Sequence, residues 1–518
     1  MALARGTANQ KGWSDLRRVP DEPHVGAEFP KRSKPLLILH HLSDLHICDA
    51  QSPIRPEFLD RWADPDSPIR EMVGTIGTYR PQSMLAVHVL EAMIQSLNKV
   101  TEGPLSGHPI DGAIITGDTT DNAQFNEVDW YLRVLDGGDI RPDSGSLDKY
   151  EGVADDGVDY YDTKYWHPHG TPVGQEEDDA RSKYGFPVVP GLLDSCRVPF
   201  KASGLKFPWY AVHGNHDALL QGTVISEEHT QIAMVGDKRY VALPSFLTLE
   251  QTLGTFNQIG PATYPVESDA PYVIVTPDLD RRAVERGEYA QKHLTSSGLP
   301  HGHGFSIANV KNKTMSYSTN LGGVKLIVID SVNHFGGWQG SLDVEQFEWL
   351  ENEISKSKLP CVLASHHPLA TMINDYAPYG RRVCRNELEA MLLKYPQVIA
   401  WLAGHDHRHH VEWVGPQFEE VGFWHIETSS HIDWPQQSRT IEIVETEQNE
   451  IFIGLTVIDH AGDISYGEAE TPLELAALSR VLSANVWQRR DSLGANPSQD
   501  WSMGEAHERN TVLRIVRR

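Results

Sequence analysis

Short apolar runs that lead directly into polar residues recur along the chain. Five of them have the length of a buried strand: 35–46 (PLLILHHLSDLH), 112–121 (GAIITGDTTD), 208–217 (PWYAVHGNHD), 361–368 (CVLASHHP) and 398–407 (VIAWLAGHDH). Each run finishes in a cluster that contains His, Asp or Asn. Because ligands bind beyond the carboxyl ends of the strands in open α/β sheets, we expect the five ends to converge on one site.

Between these runs, apolar residues spaced three to four apart predict helices. The helix predicted over 82–99 has five apolar residues on one face: Met84, Val87, Leu90, Ile94 and Leu97. A second helix is predicted over 343–355, where Asp343 and Gln346 resemble a capping box. A further apolar run, 324–331, precedes it. The alternation of strands and helices predicts an α/β fold.

The composition of the remaining segments predicts how the chain is organised into domains. Residues 1–34 are polar and rich in Pro, which predicts a polar N-terminal arm before a main domain over 35–470. Two stretches of that domain, about 122–207 and 218–320, exceed ordinary loop lengths, so we expect inserted elements or lids there. Residues 471–518 contain a helical pattern and are expected to form a C-terminal helical tail.

The overall charge narrows the classes of partner. The 518 residues carry a formal net charge of −26, and such a field repels polyanions, so a nucleic-acid polymer is an unexpected partner. The four cysteines lack CxxC spacing, and no apolar run reaches the ~18 residues of a membrane helix. We therefore expect a cytoplasmic protein that does not associate with membranes and acts on a small molecule. These features leave the oligomeric state open.

The polar clusters at the strand ends contain residue types that bind metal ions. Asp44 and His46 stand two residues apart, which places both side chains on one side of an extended segment. Gly-Asp ends the second run at Asp118, and Gly-Asn-His-Asp ends the third at 214–217. His-His-Pro follows at 366–368 and Gly-His-Asp-His at 404–407. Each motif alone is common in unrelated proteins, but the five together, in this order and each after an apolar run, predict a metal site.

In this order the motifs resemble the signature of the calcineurin-like metallophosphoesterase superfamily. That signature is Asp-x-His, Gly-Asp-x-x-Asp, Gly-Asn-His-Asp/Glu, a later His and Gly-His-x-His, and its counterparts here lie between residues 44 and 407. The resemblance covers neither the arm, the two insertions nor the tail. It implies a four-layer αββα sandwich, in which two mixed β-sheets are flanked by helices and long inserted loops or lids.

The resemblance also implies a dinuclear site for two divalent ions, Mn, Fe or Zn. Asp44, His46 and His407 would hold the first metal. Asn215, His366 and His405 would hold the second, Asp118 would bridge the two, and Asp121 would support them. The sequence departs from purple acid phosphatases, which have a tyrosine ligand beside the bridging aspartate, because Thr119 and Thr120 follow Asp118 here.

The implied activity is hydrolysis of a phosphodiester or phosphomonoester by a bridging hydroxide, with the diester slightly favoured. His216 would be the general acid, with Asp217 orienting or polarising it. Asn333, His334 and His409 are candidate substrate contacts. The alternative is a non-catalytic scaffold of the same fold that binds a protein partner, although such a scaffold should lack the ligands.

An aromatic group in the first insertion has two interpretations. Tyr160, Tyr161, Tyr165 and Trp166 lie close together in the sequence. They are expected to form either a lid that stacks on an aromatic part of the substrate or a small core that packs the insertion.

Overall fold

The structure is a computed structural model that describes residues 2–20, 22–70, 77–155, 157, 161–264, 269–416, 421–489 and 501–515. Its strands are β1 (Ala2–Arg5), β2 (Leu16–Val19), β3 (Val25–Gly26), β4 (Lys34–Leu42), β5 (Gly112–Ile115), β6 (Asp139–Ile140), β7 (Phe200–Lys201), β8 (Trp209–Ala211), β9 (Lys238–Tyr240), β10 (Tyr272–Ile274), β11 (Tyr317–Leu321), β12 (Val324–Val328), β13 (Leu342–Asp343), β14 (Cys361–Ala364), β15 (Arg382–Val383), β16 (Val398–Ala403), β17 (His410–Val414), β18 (Phe423–Glu427), β19 (Gln437–Glu445), β20 (Ile451–Asp459) and β21 (Thr511–Ile515).

The α-helices of the described residues are α1 (Ala86–Leu97), α2 (Phe125–Asp136), α3 (Asp179–Ser182), α4 (Leu192–Ser195), α5 (Glu228–Val235), α6 (Leu249–Asn257), α7 (Arg286–Thr295), α8 (Ile307–Asn312), α9 (Val344–Ser355), α10 (Arg385–Leu392), α11 (Pro472–Ser483) and α12 (Ala506–Arg509). Short 3₁₀ helices lie at Glu57–Ala63, Ser83–Leu85, Leu279–Arg281, His301–Gly304, Leu369–Thr371, Trp487–Arg489 and Trp501–Met503.

Two mixed β-sheets form the centre of the fold. The first has seven strands in the order β3-β21-β20-β19-β4-β5-β8, and β4, β5 and β8 run parallel. The second has six strands in the order β11-β12-β14-β16-β18-β17, and its four inner strands run parallel. All five predicted strand runs are therefore strands of the two parallel groups, with β8 at the edge of the first sheet, and their carboxyl ends point to the same side of the fold.

Alternating side chains show how the layers are stacked. On β12, Leu326 and Val328 join a core shared by both sheets, whereas Ile327 faces the other way into a cluster with α9 and α10. On the opposite side, α1 packs against β20 of the first sheet and against α11. The order helix, sheet, sheet, helix confirms the predicted four-layer α/β fold.

Both predicted helices form. The helix predicted over 82–99 is α1, entered through a 3₁₀ turn, and the one predicted over 343–355 is α9. The Asp343 carboxylate accepts a hydrogen bond from the backbone N–H of Gln346 at 2.7 Å, as the capping pattern predicts. The Gln346 side chain instead bonds both backbone groups of Asp330, so half of the capping box is present.

The two ends of the chain differ from a separate arm and a purely helical tail. Residues of the expected arm form the β1–β2 hairpin and strand β3, and the expected tail contributes β21 beyond helix α11. β3 pairs with β21 and β21 pairs with β20, so both ends extend the first sheet. Such pairing uses backbone groups, which the polar composition of these segments does not reveal.

Both long insertions contain regular elements. The first holds α2–α4 with β6 and β7, and the second holds α5–α8 with β9 and β10. Tyr165 and Trp166 are buried in a cluster with Leu478 and Trp487, which agrees with the packed-core interpretation; Tyr160 lies outside the described residues. In the described part of the chain, no helix combines the length and apolar character needed to cross a membrane.

Candidate metal centre

The loops that follow the parallel strands meet at one edge of the two sheets. Backbone hydrogen bonds tie them together: the N–H of Asp44 donates to the carbonyl of Gly117 at 3.1 Å, and that of Gly404 to the carbonyl of His366 at 3.0 Å. The His216 N–H donates to Oδ1 of Asp118 at 2.8 Å. The fold thus brings all the predicted ligand residues into one region.

Left-handed backbone conformations are concentrated at the predicted ligands. The φ angle is 51° at Asp44, 43° at His46, 48° at Asp118, 73° at His405 and 55° at His407. For residues other than glycine such angles cost of order 1–3 kcal/mol each and persist only where the surroundings hold them. Clusters of this kind occur at functional sites, where the strained turn aims a side chain.

Two motif glycines allow these loops to approach closely. A Cβ at Gly214 would overlap the Asp118 carboxylate, and a Cβ at Gly404 would overlap Ser43 and the carboxylate of Asp44. Any larger residue would displace a predicted ligand. The glycine of each motif is therefore explained by the space that the neighbouring ligand occupies.

The imidazole rings of His46 and His407 face each other through their Nε2 atoms. Their Nε2 atoms lie 3.1 Å apart. Nδ1 of His46 donates to Asp121 at 2.9 Å and Nδ1 of His407 donates to Asp433 at 2.6 Å, so the lone pairs lie on Nε2. Oδ1 of Asp44 is 3.3 Å from Nε2 of His407. A positive charge between these atoms, a proton or a metal ion, is what this geometry requires.

The charge states agree with that requirement. Burial lowers the pKa of His46 to about 4, so its imidazole is neutral. Burial also opposes protonation of His407, but Asp44 and then Asp433 outweigh it and raise its pKa above the ordinary value. The raised pKa favours a proton on Nε2 of His407, at the position that a metal ion would take in its place.

A second group forms around Asp118. Nε2 of His366 lies 3.1 Å from Nδ1 of His405 and 3.1 Å from Oδ2 of Asp118, while Nδ1 of His366 donates to the carbonyl of Thr116. The same Oδ2 lies 3.7 Å from Nε2 of His46. Asp118 therefore stands between the two groups of imidazoles, where a bridging ligand is expected.

Asp118 and His366 each stabilise the charged form of the other. Burial opposes the charged form of Asp118, yet the imidazoles around it, His366 first, hold its pKa well below the ordinary value. Burial likewise opposes protonation of His366, but Asp118 raises the pKa of His366 to about 9. At neutral pH, His366 and Asp118 therefore form a buried ion pair.

The side-chain amide of Asn215 shows whether the site suits a metal ion. Its Nδ2 donates to the carbonyl of Gly222 at 3.0 Å, which fixes the amide, and its buried Oδ1 has no hydrogen-bond partner among the described residues. An unsatisfied buried acceptor costs about 1–3 kcal/mol. A cation beside Oδ1 would satisfy it, and a neutral oxygen, imidazoles and carboxylates form a donor set suited to borderline divalent metals.

Comparison with known proteins bears on this arrangement. Residues 192–409 match the family model of the calcineurin-like phosphoesterases, and that span contains Asn215, His366, His405 and His407. The predicted family resemblance is confirmed. The match supports a metal-dependent phosphoesterase, a hydrolase that acts on phosphate esters.

Two further comparisons complete this picture. A crystal structure of a dimetal phosphatase from Danio rerio is similar over 82% of this chain and 99% of that chain, with 10% sequence identity and a TM-score of 0.34. A comparison with curated proteins gives no match.

Within the candidate site, His216 lies beside the predicted metal ligands but has a different hydrogen-bond partner. Its Nδ1 donates to the backbone carbonyl of Asp121 at 2.8 Å, and its ring lies 4.6 Å from the ring of His46. The side chain is 17% exposed. Nε2 has no hydrogen-bond partner among the described residues, so it is the nitrogen that can exchange a proton with a ligand.

Asp217 does not make the contact expected of it. Its carboxylate accepts hydrogen bonds from the hydroxyl of Thr119 at 2.6 Å, the N–H of Thr120 at 2.9 Å and the N–H of Gly214 at 2.8 Å. The carbonyl of Asp121, rather than Asp217, orients the His216 ring. Asp217 is a positioning residue that holds two loops of the candidate site together.

The candidate substrate contacts lie in different surroundings. Asn333 is buried, and its Nδ2 donates to Asn374 and to the carbonyl of Tyr376, so it ties two loops together. His409 is buried and engaged by Gln437 and Arg439 in the first sheet. Neither offers a free polar atom to a substrate, because both side chains are buried and already hydrogen-bonded within the protein. His334 is exposed, and its ring contacts that of Phe335 at a tilt of 42°, with ring centroids 4.0 Å apart.

His367 clarifies which member of the histidine pair faces the metal site. It lies close enough to His366 and His405 to be a ligand. Its Nδ1 is bonded to the hydroxyl of Ser331 and its Nε2 to the carbonyl of Trp338, each at 2.8 Å, so no nitrogen remains. His366 is the member with a free nitrogen in the site.

Residues that support the ligands escaped the sequence motifs. Asp433 orients His407 and is itself held by Arg80, whose Nε donates at 2.9 Å, and Arg55 is hydrogen-bonded to Asp121. Trp338 lies parallel to the His405 ring. For Asp433 a signal existed, because the polar residues after β18 follow another parallel strand of the second sheet. No local pattern marks the other three.

Proposed function

We propose that the protein hydrolyses a small phosphate ester with two divalent ions, Mn, Fe or Zn, at this centre. Asp44, His46 and His407 would hold one ion, and Asn215, His366 and His405 the other, with Asp118 between them. The observation that carries the proposal is the pair of Nε2 atoms 3.1 Å apart, together with the orphaned Oδ1 of Asn215. When bound, such ions lower the pKa of water and neutralise charge on a phosphoryl group.

The other residues supply binding and proton transfer. His216 would protonate the departing oxygen from Nε2, since its Nδ1 is committed to a backbone carbonyl. Its backbone N–H bonds the proposed bridging carboxylate, which keeps the acid at a constant distance from the metal site. Asp217 would act indirectly, by holding the loop that carries His216.

We favour a diester, with one negative charge on phosphorus, over a monoester dianion. Arg55 and Arg80, the arginines that contact ligand-supporting carboxylates, are ion-paired with Asp121 and Asp433. Arg408, which follows His407, lies near Asp406 and Glu427. None is available to neutralise a second charge, and the formal net charge of −26 gives no further help.

Hydrolysis of bis-p-nitrophenyl phosphate and p-nitrophenyl phosphate by protein reloaded with Mn²⁺, Fe²⁺ or Zn²⁺ tests the proposal. We expect metal-dependent turnover with the diester preferred, and its loss in Asp118→Ala. Asp463→Ala, at an exposed ion pair with Arg18, is the control and should keep full activity. Turnover of neither ester by metal-loaded protein, or undiminished turnover in Asp118→Ala, would overturn the proposal.

A further inference from the structure

Trp338 occupies an unusual position for a tryptophan. Its indole lies parallel to the imidazole of His405, with an interplanar angle of 20° and ring centroids 5.7 Å apart. Among the tryptophans whose side chains the structure describes, it alone joins no cluster of buried apolar side chains. It is partly exposed, and its indole N–H has no partner among the described residues. Core packing therefore does not account for this ring.

The backbone around Trp338 is anchored from two sides of the metal centre. The Trp338 carbonyl accepts a hydrogen bond from Nε2 of His367 at 2.8 Å. The N–H of Gly337 donates to the carbonyl of Thr223 at 2.9 Å, and Thr223 follows Gly222, which lies against the His216 ring. The indole is thus held between the second metal-ligand group and the loop beside the proposed acid. A rigidly placed aromatic face there is preorganised for a ligand.

Further aromatic rings continue outward on the same pair of loops. Phe335 makes an edge contact with Tyr379 at 5.2 Å, and Tyr379 is 74% exposed. The side chain of Asn374 links the loops, because it accepts from Asn333 and donates to the carbonyl of Gly336. The two loops beside Trp338 therefore also carry aromatic side chains that reach solvent.

We propose that Trp338 is the wall of a substrate subsite for a planar aromatic group, aryl or heteroaromatic, esterified to the phosphate. The inference rests on the proposed function and names the substrate class. A phosphoryl group at the metal site would place its ester group beside the indole, and stacking on an aromatic face contributes binding that an alkyl group lacks. The free indole N–H can donate to a heteroatom of the same group.

Competitive inhibition of the metal-loaded protein separates this role from a structural one. At a pH above the second pKa of both acids, phenylphosphonate and butylphosphonate are dianions, and neither has an ester bond to hydrolyse. The ratio of their inhibition constants therefore reports the contribution of the organic group. In Trp338→Ala and Trp338→Leu we expect phenylphosphonate to bind about tenfold more weakly and butylphosphonate to change less than twofold. Trp338→Phe should retain most of the preference, because it keeps an aromatic face.

A matched control and a second measurement make the outcome decisive. Trp349→Ala removes a partly buried tryptophan from helix α9, on the outer layer, and should leave both constants unchanged. Calorimetric titration with the two phosphonates should reproduce the ratio. Equal weakening of both compounds, or no weakening, would overturn the subsite while leaving hydrolysis intact. Absence of hydrolysis in the wild type would instead overturn the proposed function and the subsite with it.

Discussion

Gly222 is the position where one added methyl group should disable the site while the fold survives. Its φ is 64°, and a Cβ there would lie within 2.5 Å of Nε2 of His216 and would also overlap the amide nitrogen of Asn215. Both neighbours are fixed: Asn215 donates to the carbonyl of Gly222 itself, and His216 donates to the carbonyl of Asp121. The methyl group of Gly222→Ala can fit only if the metal ligand and the acid move.

Gly107→Ala is the matched control. Gly107 has a similar φ of 68°, and a Cβ there would meet nothing within 4 Å. Both variants place alanine in the left-handed region, which costs about 1–2 kcal/mol. Gly222→Ala must in addition break the hydrogen bond of His216, which adds about 1 kcal/mol. We expect unfolding free energies lowered by about 2–3 kcal/mol for Gly222→Ala and about 1–2 kcal/mol for Gly107→Ala.

The two variants should differ far more in activity. A general acid contributes about 10²–10⁴ in rate, and small displacements of reacting groups are costly, so kcat/KM of Gly222→Ala should fall about 100-fold or more. Gly107→Ala should remain close to the wild type. Urea unfolding supplies the stabilities. Initial rates at saturating metal on a phosphodiester with an alkyl leaving group, whose departure requires a proton, supply the activities. Similar activities in the two variants would refute the reasoning.

Three further perturbations test individual parts of the site and the core. His216→Ala should slow alkyl phosphate esters far more than p-nitrophenyl esters, because p-nitrophenolate leaves without a proton; equal losses in kcat would contradict the acid role. Asp433→Asn removes the carboxylate that orients His407, so calorimetric titration should show metal affinity weakened about 10–100-fold, whereas a wild-type affinity would exclude that role. Burial lowers the pKa of His88 to about 4, so the folded state binds this proton less tightly than the unfolded chain and loses stability as the pH falls below 6.5. His88→Phe should therefore lose about 1.5 kcal/mol less stability than the wild type between pH 6.5 and 5 in urea unfolding, and an identical pH dependence would count against this account.

The strand ends show how far local patterns reach. Runs such as 361–364 and 398–403 are apolar without interruption because both faces of a central parallel strand are covered, and that pattern is visible within six residues. The polar residue after each strand can therefore be placed at one edge of a sheet from the local pattern alone. The same reasoning, applied to β18, points to Asp433.

The misassigned residues fail for a common physical reason. His409 follows the motif closely in sequence, yet the strand it enters turns its side chain into the first sheet, where Arg439 binds it. The amide of Asn333 could bind a substrate, but its Nδ2 donates a hydrogen bond to the side chain of Asn374 instead. Whether a polar side chain is free depends on its neighbours in space, and those neighbours belong to segments that no local motif contains.

Patterns along the chain are enough to predict the α/β class, the strands, the order of the motifs and the residue types that can bind metal, because burial patterns and turn glycines act over a few residues. The folded structure is needed to see which nitrogen of each histidine faces the centre, that Asp121 rather than Asp217 orients His216, and that Trp338 covers His405. His46 and His407 are 361 positions apart, and the 3.1 Å between their Nε2 atoms exists because two sheets pack together. The local sequence determines which side chains follow each strand. The packing of remote segments sets the distances between those side chains, and the distances determine their chemistry.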